Sequence, residues 1–256
     1  MIAELKGKIS SKGTNLTETL EDDLTGNFFG SLRYIPFSKG IKKILIEAIG
    51  EEYFDKDEVE EWAEKIEFWP YHKDGELDVV IDLNLITIGV EVKYNSGLSS
   101  DDEVLNEGEK IERSNNQLAR ESRIIKELAN FKEKKPVLLF IARENKGNDI
   151  VKSILKRGIL EKNVIFKYIS WEDICIIVKQ LYKSTELNYF ERVIIDDIYR
   201  LLVKKGFDSF KSFENVISSE SIMENKYYLF NDNKSDKGFD FEIDISVNGG
   251  EYYEFI

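Results

Sequence analysis

The segment from residue 76 to residue 93 limits the fold most strongly, because a turn signal separates two apolar stretches within it. The segment reads Glu-Leu-Asp-Val-Val-Ile-Asp-Leu-Asn-Leu-Ile-Thr-Ile-Gly-Val-Glu-Val-Lys. Its central residues, Asp82-Leu83-Asn84, are typical of a tight turn, and the flanking runs are rich in the β-branched residues that favour strands. The segment therefore predicts a β-hairpin whose strands are largely buried.

Three charged residues stand out in this hairpin, namely Asp78, Glu91 and Lys93. Buried strands rarely carry charge without a use for it. Glu91 and Lys93 are two positions apart and project from one strand face, and the turn brings Asp78 beside them. Two carboxylates and an amine at one end of a sheet are the minimum set for holding a divalent metal ion and activating water. Glu76 and Asp82 share the face of Asp78 and are alternative acids.

The second strand of the hairpin places a row of apolar side chains on one face only. These side chains are Ile86, Ile88, Val90 and Val92. The alternation predicts that the face with Glu91 and Lys93 borders a cleft or water. In the alternative interpretation, the two charged residues belong to a solvated strand face and have no chemical role.

Strand and helix signals alternate along the chain, which is the pattern of an α/β fold with a mixed sheet. The expected helices cover about residues 15–35, 39–50, 109–131 and 148–157, with another from Trp171, and the first opens with a capping box at Asn15 and Glu18. The expected strands, besides the hairpin over about residues 76–94, cover about residues 64–70, 137–142 and 164–169. Residues 1–184 are predicted to form the core. Residues 185–256 are predicted to form a C-terminal extension.

The composition limits the class of protein. The net charge of the 256-residue chain is −13, from 36 basic and 49 acidic residues, and this disfavours general affinity for nucleic acid, which comes from Lys and Arg at phosphates. No apolar run approaches the roughly 20 residues that span a bilayer, and the first residues lack the apolar stretch of a secretion signal. We therefore expect a cytoplasmic protein without a membrane partner. Cys175 and His72 are the sole residues of their types, which argues against a disulfide, a cysteine-built zinc site or a histidine-based triad.

Asp78 followed by Glu91-Val92-Lys93, within this succession of helices and strands, resembles the pattern of the PD-(D/E)xK nuclease superfamily. The resemblance covers about residues 15–170. It departs from the family pattern at Leu77, where proline is usual. The resemblance implies a restriction-endonuclease-like three-layer sandwich, in which helices flank a central mixed β-sheet.

The resemblance also implies a role for each residue of the hairpin motif. Asp78 and Glu91 would bind Mg²⁺ through their side-chain oxygens, and the Val92 carbonyl would complete the protein ligands. Mg²⁺ prefers oxygen ligands in octahedral geometry, and Mn²⁺ is expected to substitute for it. Lys93 would orient the attacking water or stabilise charge at the phosphorus.

Two helices carry further residues that the resemblance implicates. Glu21 lies on the first helix, where such nucleases often place a glutamate, and it would bind a second metal ion or hold a water molecule bound to the metal. Gln117 lies on the helix after the hairpin, similar to the glutamine-bearing helix of several branches of the superfamily. Gln117 would fix Lys93 or the scissile phosphate.

Two functions follow from these observations. The leading hypothesis is a Mg²⁺-dependent endonuclease that hydrolyses phosphodiester bonds of nucleic acid, with DNA as the favoured substrate. The alternative is a non-catalytic binding or regulatory protein that uses the same fold within a larger complex, as the acidic net charge suggests. A homodimer or a partner subunit that supplies nucleic-acid contacts is compatible with either.

Overall fold

The computed structural model describes residues 16–54, 61–102 and 113–208, with side chains from residue 21 onward. These residues belong to a single unit that covers residues 1–210. Three predictions lie wholly or partly outside this description. They are the capping box at Asn15 and Glu18, the first residues of the helix expected from residue 109, and the last 48 residues of the C-terminal extension.

Strands and helices alternate within the described ranges. The strands are β1 (Ile66–Phe68), β2 (Tyr71–His72), β3 (Gly75–Glu76), β4 (Val79–Asp82), β5 (Ile86–Val92), β6 (Lys135–Ala142) and β7 (Ile165–Ser170). The helices are α1 (Leu16–Leu32), α2 (Ile41–Ile49), α3 (Gln117–Phe131), α4 (Glu144–Arg157), α5 (Trp171–Tyr182) and α6 (Tyr189–Lys204). Short 3₁₀ turns cover Phe37–Lys39, Glu51–Tyr53 and Trp62–Glu64.

Five of the strands form a mixed sheet in the order β1-β4-β5-β6-β7. Strands β1, β4 and β5 pair antiparallel, whereas β5, β6 and β7 pair parallel. Strands β2 and β3 form a separate two-stranded hairpin. The predicted α/β architecture with a mixed sheet is therefore confirmed, and so is the β4–β5 hairpin.

Helices cover both faces of the sheet. On one face, α1, α2, α5 and α6 pack over the apolar row of β5 and its counterparts on β4 and β6. On the other face, α3 and α4 enclose a smaller core that includes Leu138 and Phe140 of β6. Each large apolar side chain that becomes fully buried stabilises the fold by about 1.5–3 kcal/mol. Both cores therefore hold the sheet rigid at the edge that carries the charged residues.

The second face of β5 is buried, so the expectation that it borders a cleft or water is wrong. All seven residues of β5 are buried, including Thr87 and Glu91, because α3 packs across this face. Gly89 allows the close approach, since a Cβ atom there would lie 3.0 Å from Cδ1 of Leu77 and 3.3 Å from Cδ1 of Ile125. The charged end of β5 is therefore enclosed by protein.

The element boundaries differ from the predicted ones mainly at the helix starts. Helix α3 begins at Gln117, and the Asn116 side chain caps it by accepting hydrogen bonds from the backbone N–H groups of Leu118 and Ala119. Helix α4 begins at Glu144 rather than near residue 148. Helix α6 packs against α5 and α1. None of the helices within the described ranges has the length and apolarity required to cross a membrane.

Candidate active site

The register of the hairpin brings the predicted site residues to one edge of the sheet. Val79 of β4 lies opposite Val90 of β5, so Asp78, which precedes β4, lies near Glu91 at the end of β5. The parallel strands β5, β6 and β7 also end at this edge. Ligands of open α/β sheets bind outside the carboxyl ends of the strands, so this edge is the natural place for a functional site.

Asp78 is held by the backbone of the neighbouring strand. Its Oδ2 atom accepts a hydrogen bond of 2.8 Å from the Val92 N–H. Burial raises the pKa of the Asp78 carboxyl well above its usual value, and the charge of Glu91 raises it further, while Lys93 and the Val92 N–H act in the opposite direction. Asp22 on α1 adds a smaller upward effect. Asp78 therefore lies in a negative field that a bound cation would relieve.

Glu91 is the centre of the hydrogen-bond network at this edge and is only 2% exposed. Its Oε1 atom accepts from Nζ of Lys93 at 2.8 Å and from Nε2 of Gln117 at 2.5 Å. Gln117 thus contacts Glu91, whereas the resemblance implied a contact with Lys93 or phosphate. One carboxylate therefore connects the strand that bears the motif to helix α3.

Lys93 is buried among carboxylates. Besides the contact with Glu91, its Nζ lies 3.7 Å from Oε2 of Glu21. Burial lowers the pKa of the Lys93 ammonium, but the charge and hydrogen bond of Glu91 and the charges of Glu21 and Asp78 outweigh it, so the pKa is raised above its usual value. Lys93 is therefore a protonated hydrogen-bond donor at neutral pH.

Glu21 joins helix α1 to the segment that follows β5. Its Oε1 atom accepts hydrogen bonds from the Tyr94 N–H at 2.9 Å, the Ser96 N–H at 3.3 Å and the Ser96 hydroxyl at 2.6 Å. Its other oxygen faces Lys93. The first helix thus does place a glutamate beside the motif, and one of its oxygens already holds the backbone that leads away from Lys93.

The start of helix α3 is fixed by polar contacts that orient Gln117. The Gln117 Oε1 atom accepts from the Ser99 N–H at 2.8 Å, and its backbone N–H donates to the Ser100 carbonyl at 3.1 Å. Arg157 pairs with Asp101 at 2.8 Å and with Asp102 at 2.6 Å. Asp101 and Asp102 are therefore anchored to α4, and the backbone just before them positions the Gln117 amide.

Glu121 is a fourth carboxyl group at the site, and the sequence patterns did not assign it a role. It lies one turn after Gln117 on α3 and is only 2% exposed. Burial raises the pKa of the Glu121 carboxyl well above its usual value, followed by the charge of Glu91 and a hydrogen-bonding contact between the two carboxyl groups. Its Oε2 atom is buried and has no hydrogen-bond partner among the described residues. The sequence offers no signal for this role, because Glu121 looks like any other polar residue on a helix and its burial is visible only in the fold.

The described carboxyl groups do not form a preformed metal site. Within the described residues, no three Asp, Glu, His or Cys side chains are arranged to hold a metal ion. The edge nevertheless concentrates Asp78, Glu91, Glu121 and Glu21 around a single ammonium, that of Lys93. This crowding of carboxyl groups, which raises the pKa values of Asp78 and Glu121, is the main electrostatic feature of the site.

Three other polar residues of the hairpin region lie away from this cluster. Asp82 is at the far end of β4, where it pairs with Lys134 at 2.8 Å and Lys132 at 3.0 Å, so it does not substitute for Asp78. Glu76 is exposed on β3. His72 belongs to the small β2–β3 hairpin, and its Nδ1 accepts a hydrogen bond from a nearby backbone N–H, as expected of a structural histidine.

A cluster of aromatic rings around Arg143 supports the end of β5; we call it the Arg143 clamp and define it as Tyr94, Arg143, Trp171 and Phe207. The Arg143 guanidinium lies 5.4 Å from the Tyr94 ring centre and 4.9 Å from that of Phe207. Phe207 stacks on Trp171 with ring centres 5.4 Å apart. The Trp171 indole N–H donates to the Lys93 carbonyl at 3.1 Å. The four residues of the clamp come just after β5, β6 and β7 and shortly after α6. The clamp thus connects four parts of the chain at the backbone of Lys93.

Comparison of the chain with protein-family models, with curated proteins and with solved structures finds no match. The arrangement of side chains at the sheet edge is therefore the basis for a functional proposal.

Proposed function

We propose that this chain is a Mg²⁺-dependent nuclease that hydrolyses phosphodiester bonds of nucleic acid, with DNA as the favoured substrate. One observation carries the proposal: Asp78, Glu91 and Lys93 meet at the carboxyl edge of the sheet, where Gln117 binds Glu91 directly. Two carboxylates beside a protonated lysine suit a reaction in which negative charge builds up on a phosphate. The α/β sandwich with a mixed sheet is compatible with the restriction-endonuclease-like fold, which is part of this proposal.

The side chains at the edge fit a hard divalent cation. Carboxylate oxygens and backbone carbonyls are the ligands that Mg²⁺ prefers, and Asp78, Glu91 and the Val92 carbonyl would hold it. The unpartnered Oε2 atom of Glu121 supports this fit, because a buried carboxylate oxygen without a donor is costly unless a cation or a proton reaches it. A bound divalent cation supplies neutralisation of the phosphodiester charge and acidification of a water molecule.

The residues of the chain perform the remaining tasks. Lys93 stays protonated at neutral pH, so it donates hydrogen bonds to a phosphate oxygen or to the attacking water and does not act as a general base. Gln117 keeps Glu91 in place through its amide, while the Ser99 N–H fixes the amide orientation. Glu21 holds the Tyr94 backbone and thereby the direction in which the chain leaves Lys93. These contacts prearrange the edge before a substrate arrives.

A cavity next to α3 has a lining of four basic and three acidic side chains, and it is our candidate contact surface for nucleic acid despite the acidic net charge. The cavity has a volume of about 410 Å³ and is lined by Lys73, Asp74, Arg113, Arg123, Lys126, Glu127, Asn130 and Glu161. Arg113 is paired with Asp74 at 2.7 Å, whereas Arg123 donates to the Ser114 carbonyl and its Nε is buried without a partner among the described residues. Arg123 follows Gln117 by six positions, or about 9 Å along the helix axis. Six positions also correspond to about 1.7 turns, so Arg123 and Gln117 lie on different sides of α3.

A cleavage assay tests this function. The full chain is incubated with duplex DNA, single-stranded DNA and RNA in Mg²⁺, Mn²⁺ or EDTA, beside the variants Asp78→Ala and Lys93→Ala. We expect metal-dependent cleavage that both variants lose by at least about 100-fold. Asp82→Ala is the matched control, because it removes a carboxylate from the other end of the same strand, and it should keep the activity. Cleavage that persists unchanged in Asp78→Ala and Lys93→Ala would refute the site.

The second candidate, a non-catalytic binding protein, is favoured by a different observation. The Glu91 Oε1 atom already receives both Lys93 and Gln117, and the described residues contain no finished group of three metal ligands. These side chains therefore satisfy one another in a hydrogen-bonded network that needs no metal ion, as a non-catalytic protein would require. Calorimetric titration of the full chain with Mn²⁺ separates the two candidates: binding that Asp78→Asn abolishes supports the nuclease, and absence of binding supports the binding protein.

A further inference from the structure

The burial of Glu121 near Glu91 is not explained by the roles assigned so far. Both carboxyl groups are almost completely buried, at 2% exposure each, and Glu121 lies one helical turn after Gln117, whose side-chain amide donates to Glu91 at 2.5 Å. Two neighbouring ionised carboxylates repel one another unless a positive charge or a shared proton lies between them. The Lys93 ammonium contacts Glu91 at 2.8 Å, and no described donor reaches the Glu121 Oε2 atom.

The surroundings of Glu121 do not require an acid for packing. Beyond Glu121, the sheet-facing side of α3 is apolar, since Ile125 and Ala129 are fully buried. An apolar residue at position 121 would continue this row, and a glutamine would provide hydrogen bonds without a buried charge. The carboxyl group is therefore a buried polar group that the packing of α3 does not require.

We propose that Glu121 is an additional carboxylate ligand of the divalent cation, which joins Asp78 and Glu91 when the ion binds. This inference rests on the proposed function, because it concerns the same metal. It assigns to α3 a direct ligand besides the positioning residue Gln117. The described carboxylates do not form a three-ligand group as they stand, and the buried Oε2 atom of Glu121, which has no hydrogen-bond partner among the described residues, is the oxygen that the ion would use. The three acids and Lys93 then give a site whose charges nearly balance with one divalent cation.

Direct measurement of Mn²⁺ affinity tests the inference independently of catalysis. Mn²⁺ is titrated calorimetrically into the full chain and into Glu121→Gln, which preserves the shape of the side chain and removes its charge. We expect the dissociation constant to rise at least about tenfold in Glu121→Gln, since one charged ligand is lost. Glu127→Gln is the matched control on the same helix, where the exposed carboxylate pairs with Lys73 at 3.1 Å, and its Mn²⁺ affinity should equal that of the unmodified chain.

Thermal unfolding in EDTA separates loss of a ligand from loss of the fold. Without metal, Glu121→Gln should unfold at the same temperature as the unmodified chain or at a higher one, because glutamine keeps the shape of the side chain and has no ionised form to bury. Addition of Mn²⁺ should then raise the unfolding temperature less in the variant.

Each outcome bears on the inference in a defined way. An unchanged Mn²⁺ affinity in Glu121→Gln would overturn the ligand role, and if the unmodified chain still cleaved DNA in the presence of metal, the proposed nuclease function would stand. A chain that binds Mn²⁺ through Glu121 without cleaving nucleic acid would support the ligand role and refute the function. A chain that binds no Mn²⁺ would overturn both.

Discussion

Replacement of Lys93 by methionine should destabilise the fold strongly, because it removes the ammonium that pairs with Glu91. Methionine retains most of the length and apolar volume of the lysine side chain. At the observed separation of 2.8 Å, the attraction between the two charges is about 6 kcal/mol at an effective dielectric constant of 20. Removal of one partner of a buried pair usually costs about 3–5 kcal/mol, because the other charge is left uncompensated.

This loss is large compared with the stability of a domain, which is about 5–15 kcal/mol. With a urea dependence of about 2 kcal/mol per molar, the midpoint of unfolding should fall by about 1.5–2.5 M. The measurement is urea unfolding at neutral pH in EDTA, so that metal does not compensate for the missing ammonium. Lys43→Met is the control, since its exposed ammonium lies 3.3 Å from exposed Glu186 and should contribute at most about 1 kcal/mol.

A double-mutant cycle shows whether the uncompensated charge is the cause. Neutralisation of the partner in Lys93→Met/Glu91→Gln should recover at least about 2 kcal/mol relative to the sum of the two single losses. Additive losses would show that the two side chains do not act as a pair. A loss below about 1 kcal/mol in Lys93→Met would equally contradict the assignment of a buried, charged network.

Two further predictions concern the ends and the middle of the hairpin. Burial raises the pKa of Asp82, but hydrogen bonds and charges from Lys134 and Lys132 outweigh burial and lower the pKa. The ionised Asp82 therefore stabilises the fold above about pH 4, and this stabilisation is lost as the pH falls through the lowered pKa. Asp82→Asn should therefore be less stable than the unmodified chain at neutral pH, and thermal unfolding should show the difference shrinking below about pH 4; a constant difference would contradict this. Gly89→Ala should cost about 1–3 kcal/mol in urea unfolding, because its Cβ would lie 3.0 Å from Leu77 and 3.3 Å from Ile125 of α3. Unchanged stability would show that α3 can shift freely.

The hairpin and its motif were within reach of sequence reasoning because the information is local. A turn signal and an alternation with a period of two are sufficient to predict the β4–β5 pair. They are also sufficient to predict that Asp78 lies near Glu91, whose side chain points to the same face as that of Lys93. Gln117 was indicated only by the resemblance to the nuclease pattern. These features depend on residues near one another along the chain.

The features that were missed depend on packing between distant parts of the chain. Exposure of the Glu91 face was expected because strand alternation does not reveal which helix covers the polar side, and α3 covers it across Gly89. Glu121 has the sequence appearance of an ordinary polar residue on a helix, and only its position against Glu91 reveals the contact. The stacking of Phe207 on Trp171 joins residues 36 positions apart, for which the sequence offers no pattern.

The Arg143 clamp determines how much of the chain is needed to study the site by itself. A fragment that ended at residue 184, the predicted domain boundary, would retain every carboxylate of the site and Lys93. It would lose α6 and Phe207, and with them the ring that stacks on Trp171 and the Lys205 carbonyl that accepts a hydrogen bond of 2.6 Å from Arg143. The shortest fragment suitable for crystallisation with metal or nucleic acid therefore extends through Phe207, because the support for the Lys93 backbone comes from the far end of the described chain.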